Sequence, residues 1–202
     1  MKKIIKALLR MSYSAGMPVF LNRGEIPYIL NRKGLVNAGT EVGVYYGQYS
    51  EYLLTHWKGK TLYSVDAWGQ YVAPGTTTLP AEEFARIYES ARRRLTPFGE
   101  RSKIIRQLST VAAQSMGDGT LDFVYLDAGH DYASVLEDLQ AWAPKVRPGG
   151  MLAGHDYWDG SSGAVPVYGV KKAVDEFAKM HGLSVKVSLR EPENCKSWLI
   201  WM

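Results

Sequence analysis

From about residue 35 onward, short apolar runs rich in β-branched and aromatic residues alternate with helix-length segments of mixed polarity, the pattern of βαβ units and a mostly parallel sheet. The runs at 35–44, 61–65, 103–108, 121–126 and 151–154 predict strands, and the segments 50–57, 81–95, 132–146 and 169–181 predict helices. Segment 121–126 (LDFVYL) is almost continuously apolar, as a strand covered on both faces has to be, so it is expected at the middle of the sheet. Val135, Leu139, Trp142 and Val146 recur at helical spacing, and Arg147-Pro148-Gly149-Gly150 is expected to stop that helix. Residues 185–189 and 197–201 predict two last strands, whose link is too short for a parallel crossover; they should pair antiparallel. The expected fold is α/β, an open doubly wound and mostly parallel seven-stranded sheet ending in an antiparallel hairpin.

Two stretches without clear periodicity, 69–80 and 157–168, follow the carboxyl ends of strands, where ligands bind in open α/β sheets. They carry Trp68, Tyr71, Tyr157, Trp158 and Tyr168 on or beside them, aromatic walls suited to a flat or sugar-like molecule. Residues 1–34 read as an N-terminal helical extension to a domain covering 35–202. Within it, the apolar run 4–9 is interrupted by Lys6, unlike a secretory signal, and no stretch is apolar for the length a membrane span needs. Stretch 2–11 is read as a packing or frayed helix.

Composition narrows the function classes. The net charge of +4 comes from 24 basic against 20 acidic residues, in short runs such as Lys2, Lys3, Lys6, Arg10 and Arg92 to Arg94. A long basic stripe interleaved with aromatics is absent from the sequence, so no nucleic-acid partner is expected. Cys195 is the single cysteine, which excludes an internal disulfide framework and a multi-cysteine zinc site; a cytoplasmic setting is the simplest expectation. A homo-oligomer is compatible with everything in the chain.

The first strand runs into Gly39-Thr-Glu41-Val-Gly43-Val-Tyr-Tyr-Gly47. Small residues there let the backbone turn sharply and a ligand approach it. A dinucleotide loop delivers a pyrophosphate to a helix N-terminus, where a carboxylate would repel it. Here Glu41 stands among the glycines, which suits a cationic ligand, and S-adenosylmethionine carries both an ammonium and a sulfonium. Asp66 ends the second strand, where a carboxylate can accept hydrogen bonds from ribose hydroxyls or simply close a turn. Asp127 and the pair His155-Asp156 end two strands expected to be neighbours, so three side chains converge and suggest a divalent metal. Imidazole in the set favours Mn, Fe or Zn over Mg. His155 has a second reading, turned into the core with a satisfied hydrogen bond, which leaves the two aspartates.

Through Glu41 to Gly47, Asp66 and Asp122 to Asp127, the chain resembles class I S-adenosylmethionine-dependent methyltransferases over roughly residues 34–202. LDAGHDYASVLEDL (126–139) followed by VRPGGMLAGHDY (146–157) is similar to a small family within them that carries Asp-x-x-His-x-Tyr and a later Pro-Gly-Gly strand. The resemblance implies that Glu41, Gly43 and Gly47 lie by the methionine part of the donor and that Asp66 holds the ribose. It also implies that Ala67 or Trp68 lines the adenine, that Ser109 approaches the adenine edge, and that Asp127 borders the methionine end. The family's usual glycine and aspartate before that serine are Gln107 and Leu108 here. Metal-dependent relatives that methylate catechols and macrolide sugars draw their ligands from the same two strand ends as Asp127, His155 and Asp156. His130 stands where catechol-type relatives place a catalytic lysine, and it could take the proton of an attacking hydroxyl. The function expected from this is methylation of a small-molecule hydroxyl with help from a divalent metal. Two alternatives stay open, a metal-dependent hydroxylase on the same fold and a donor-binding module without catalysis.

Overall fold

The computed structural model describes residues 20–69, 79–162 and 165–202. The helix expected at 2–11 and Tyr71 lie outside them. After a 3-10 turn, Arg23–Glu25, come α1 (Ile26–Arg32), β1 (Ala38–Val42), α2 (Gln48–His56), β2 (Thr61–Asp66), α3 (Ala81–Leu95), β3 (Ser102–Arg106), α4 (Ser109–Gln114) and β4 (Leu121–Leu126). They are followed by α5 (Tyr132–Trp142), β5 (Val146–Gly154), β6 (Asp159–Ser162), β7 (Val165–Gly169), α6 (Val170–Met180), β8 (Lys186–Val187) and β9 (Trp198–Trp201).

Seven strands form one sheet in the order β3-β2-β1-β4-β5-β9-β8. The first five are parallel, while β9 runs antiparallel to both β5 and β8. The chain winds outward from β1 to β3 on one side, then restarts beside β1 with β4. At that switch the crossovers leave in opposite directions and a crevice opens beyond the carboxyl ends of β1 and β4.

Strand β4 is buried at every position, as its unbroken apolar run requires. Its side chains alternate: Phe123 and Tyr125 join the core under α1, α2 and α3, and Val124 and Leu126 join the core under α5 and α6. Leu121 falls on the second face despite its parity with Phe123, and the β4–β5 register shifts between those two residues. The shift leaves Asp122 2% exposed but bonded: it accepts from the Asn37 amide at 2.5 Å and from Arg147 Nε at 2.6 Å. Residues ahead of β1 belong to the same core, since Phe20, Ile26, Ile29 and Leu30 are buried with Leu53, Trp57 and Phe123.

Several boundaries differ from the sequence expectations for local reasons. β1 starts at Ala38 rather than residue 35, because the Leu35 amide closes on the Leu30 carbonyl and Asn37 turns to Asp122. β3 ends at Arg106; Leu108 then caps α4, a one-and-a-half-turn helix whose polar, β-branched sequence carried no periodic signal. α5 stops at Trp142, where Pro144 tightens the chain into a 3-10 turn, Ala143–Lys145. The Arg-Pro-Gly-Gly segment, expected as a breaker, instead runs inside β5. The loop expected at 157–168 holds an antiparallel hairpin, β6–β7, detached from the main sheet. The run Arg92 to Arg94 is partly paired, with Arg92 on Glu89 at 3.0 Å and Arg94 on Glu51 at 2.7 Å.

Candidate functional site

The crevice at the strand switch is a cavity of about 900 Å³. Its walls come from the β1–α2 turn, the ends of β2 and β4, the start of α4, the first half of α5, and Arg23 from the turn before α1. Backbone strain gathers at the carboxyl edge of the sheet. Among the described residues, Tyr45, Trp68 and Asp156 are the non-glycines with positive φ (51°, 41° and 51°), and they follow the carboxyl ends of β1, β2 and β5.

The β1–α2 turn takes its shape from Gly43 and Gly47. Gly43 has φ 88°, and a Cβ there would lie 2.0 Å from the Asp127 carbonyl oxygen, so this turn and the end of β4 meet backbone to backbone. Gly47, with φ 82°, forms the N-terminal boundary of α2. Asp66 holds the turn in place: its Oδ2 accepts the amides of Val44 at 2.9 Å and Tyr45 at 2.8 Å, and its Oδ1 accepts that of Trp68 at 2.8 Å. A carboxylate offers about four acceptor directions, so roughly one remains for a hydroxyl from the cavity. Ala67 lines the cavity, whereas Trp68 turns inward, 2% exposed, with its Nε1 donating to the Tyr45 carbonyl at 2.9 Å. Of the two, the alanine faces the space expected for a base, and the indole packs beneath the turn because its one polar atom finds a backbone partner there.

Glu41 is 1% exposed on β1 and accepts the hydroxyl of Ser50, which also bonds Ser64 at 2.7 Å. Burial pushes its carboxyl up to about 8, against the Ser50 hydrogen bond, with Asp127 adding to the rise and Arg23 opposing it. The negative charge expected from the sequence is therefore not a standing one: with its carboxyl raised to about 8, Glu41 favours the protonated acid at neutral pH.

At the opposite end, the Ser109 hydroxyl donates to Asp138 and accepts from Trp142 Nε1 at 2.9 Å. Asp138, on α5, also lines the cavity, and burial raises its carboxyl to about 6 against the Ser109 hydrogen bond. Asp138 was not among the residues expected from the sequence; its place on a helix face among apolar residues gave no sign of the cavity.

Between these ends lies a cluster of acids and imidazoles. Ligand atoms of Asp127, His130 and Asp156 lie within 4.8 Å of one another. His130 Nδ1 is 3.5 Å from Asp156 Oδ2, and His155 Nδ1 is 3.0 Å from Asp156 Oδ1. The structure thus gathers both histidines about Asp156, but it is His130 that converges with the two aspartates, while His155 grips Asp156 from the side. His130 reaches the cluster because the β6–β7 hairpin holds its loop: Gly169 donates its amide to the His130 carbonyl at 2.8 Å, and Tyr168 stacks on the ring at 5.2 Å. Burial raises the Asp127 carboxyl, as does Asp156, with His155, His130 and Arg23 pulling the other way. For His155 burial disfavours the charged ring, yet the Asp156 hydrogen bond and the Asp127 charge carry its pKa above the ordinary value.

Arg23 completes the site and had no signal in the sequence, since it precedes the first strand. Its Nη1 lies 3.4 Å from Asp127 Oδ2, and its guanidinium lies over the Tyr49 ring at 5.1 Å.

A family profile described as a methyltransferase domain matches residues 40–157. The O-methyltransferase of Bacillus cereus, solved in complex with SAH, has a TM-score of 0.59 at 14% identity, with 98% of this chain and 90% of that one covered. An S-adenosylmethionine-dependent methyltransferase of Aquifex aeolicus gives 0.58 at 18% identity, covering 90% of this chain and 91% of its own. At these identities the likeness is one of fold. The Sinorhizobium fredii protein y4gI, itself uncharacterised, is 23% identical over 134 residues, 64% of this chain; the chain spans 14% of that relative's length. No described helix is long and apolar enough to cross a membrane.

Proposed function

This chain belongs to the methyltransferase-domain family, and from that membership we propose that it moves the methyl group of S-adenosylmethionine to a hydroxyl of a small molecule. The observation that carries the donor is the chemistry of the cleft: Glu41, Asp66 and Asp127 line one cavity with the apolar Val65, Ala67 and Leu108. A sulfonium and an ammonium find acidic partners there and a base finds an apolar wall, whereas a pyrophosphate would meet carboxylates. The SAH held by the Bacillus relative supports the same donor.

Oxygen as the acceptor atom is supported by the Asp127, His130 and Asp156 cluster. An alcohol or phenol must lose its proton as the methyl group arrives, and these residues serve that need in one of two ways. A divalent metal, when bound, would lower the pKa of the acceptor hydroxyl. Asp127, His130 and Asp156 would hold it, His155 would orient Asp156, and the mixed oxygen and nitrogen donors fit Mn, Fe or Zn. The second reading rests on the 3.5 Å approach of His130 Nδ1 to Asp156. That contact orients the ring and leaves Nε2 to receive the proton directly. Tyr45 and Tyr46 line the cavity and support a small aromatic or sugar-like acceptor.

Asp156→Ala tests the assignment, because both routes need that carboxylate and the donor does not. Turnover should fall at least about a hundredfold while calorimetry gives a donor Kd within about threefold of the parent. An Asp156→Ala protein with full activity removes both routes. Activity that survives exhaustive chelation selects the histidine route, and activity lost to the chelator and restored by Mn selects the metal.

A further inference from the structure

Arg23 and Asp127 put opposite charges side by side on the cavity wall, Nη1 to Oδ2 at 3.4 Å. From this pairing we infer that the two residues form a clamp for an α-amino-acid zwitterion, Arg23 taking the α-carboxylate and Asp127 the α-ammonium of the methionine part of the donor. The inference rests on the donor proposed above and assigns a role to a residue outside the span 40–157 matched by the family profile.

Arg23 is firmly held. Its amide donates to Glu191 Oε1 at 2.9 Å, and its carbonyl accepts the Tyr49 hydroxyl at 3.0 Å. The next carbonyl, of Gly24, accepts the Tyr52 hydroxyl at 3.0 Å, and Asn22 caps the turn through the Gly24 amide at 2.9 Å. Two parts of the chain distant in sequence, α2 and Glu191, together with the adjacent Asn22, thus fix the backbone of a three-residue turn, so the side chain leaves it in a defined direction and little ordering cost remains for a ligand.

Beneath the guanidinium lies the Tyr49 ring at 5.1 Å, which presents its face to the cation and prevents the side chain from collapsing toward α2. The side chain keeps 40% exposure, and Arg23 is among the residues lining the cavity. The guanidinium has five donors, and its one charged partner among the described residues is a single oxygen at the long distance of 3.4 Å. The Tyr125 hydroxyl is its other side-chain neighbour, and a planar fork without a bidentate partner is suited to a carboxylate, which it can grip with two parallel hydrogen bonds.

Location agrees with charge. Tyr49 belongs to the first turn of α2, directly after the Gly43–Gly47 turn, and a carboxylate set here also meets the positive end of that helix. Asp127, at the end of β4, supplies the anion for the ammonium. The two charges of an α-amino acid stand across one carbon, so neighbouring groups of opposite sign are what recognise it. A decarboxylated donor keeps the ammonium and sulfonium but leaves the Arg23 fork without its partner.

Calorimetry with S-adenosylmethionine and with decarboxylated S-adenosylmethionine tests the clamp. The parent protein should prefer the carboxylated donor by about tenfold or more, the loss expected for one charge-assisted pair. In Arg23→Gln that preference should fall to about one, through weaker binding of S-adenosylmethionine and unchanged or tighter binding of the decarboxylated form, which also shows that the variant is folded. Arg23→Lys should fall between, since it keeps the charge without the fork. A parent-like preference in Arg23→Gln overturns the clamp, and so does a parent that binds both donors equally. If the parent binds neither compound, the donor assignment itself has failed, and the clamp fails with it.

Discussion

Glu41 is wholly enclosed, and burial pushes its carboxyl up to about 8 against the pull of the Ser50 hydroxyl. At pH 7 the group therefore carries its proton until a cation reaches the cleft, and the cation then favours the ionised form. Binding of S-adenosylmethionine should release a proton. Calorimetry at pH 7 in buffers of different ionisation enthalpy should give a release approaching one proton per donor, fading above about pH 9 where Glu41 is already ionised. Glu41→Gln should remove the release; a parent enthalpy that is the same in every buffer would contradict the role. The residues of this site divide by how they announce themselves. Glu41, Asp66 and Asp127 were visible because acids at the ends of apolar runs are uncommon and their positions follow from the strands. Arg23 and Asp138 were not, because each becomes part of the cavity only when elements distant in sequence come together. Trp68 was legible as a neighbour of the cleft but not in its orientation, which a single hydrogen bond to Tyr45 decides.

Among the elements, the β1–α2 turn is the one on which the cleft depends most. Gly43 stands at φ 88° with the Asp127 carbonyl where a side chain would begin. Gly43→Ala adds both a strained backbone and a backbone clash, which should cost about 2 kcal/mol or more of stability and reduce donor affinity at least about tenfold. Denaturant unfolding and calorimetry read the two effects separately, and an alanine variant with parental values for both would show that the turn relaxes freely. The helices and strands that were read correctly, α3 over Ala81–Leu95 and β4 over Leu121–Leu126, owe this to strong local patterns: good helix formers behind a proline, and an unbroken apolar run. The misread elements are those where the neighbour decides. Arg147-Pro148-Gly149-Gly150 has the composition of a breaker, yet it lies in β5 next to β4, with the ladder shifted to admit it. The β6–β7 hairpin likewise has little apolar alternation of its own, and it is tied to the His130 loop through Gly169 and Tyr168.

For the whole molecule, the enclosed acids set a pH dependence of stability. Burial raises Glu41 from 4.5 to about 8 and Asp138 from 3.8 to about 6. Between the ordinary and the raised values the unfolded chain has released these protons and the folded protein still holds them. The unfolded state then binds fewer protons, so stability falls as pH rises, through 3.8 to 6 for Asp138 and through 4.5 to 8 for Glu41. A tenfold difference in proton affinity between the folded and unfolded chain corresponds to about 1.4 kcal/mol at most. Glu41→Gln, which keeps an acceptor for Ser50, should flatten the decline between about pH 5 and pH 8 in chemical unfolding. An equal decline in parent and variant would place its origin elsewhere.

The alternation of strands and helices, the central place of β4 and the antiparallel ending were all written in local pattern, because burial on one or both faces of an element imposes a period on its own residues. That the acidic strand ends share a cleft follows from the parallel order of the strands and could be read from the same pattern. Tertiary structure decided which histidine joins Asp127 and Asp156, how deeply Glu41 is enclosed, and that Arg23 stands against the end of β4. Each of these depends on side-chain direction and on the distance between segments far apart in the chain, and side chains converging across such segments leave no period in the sequence.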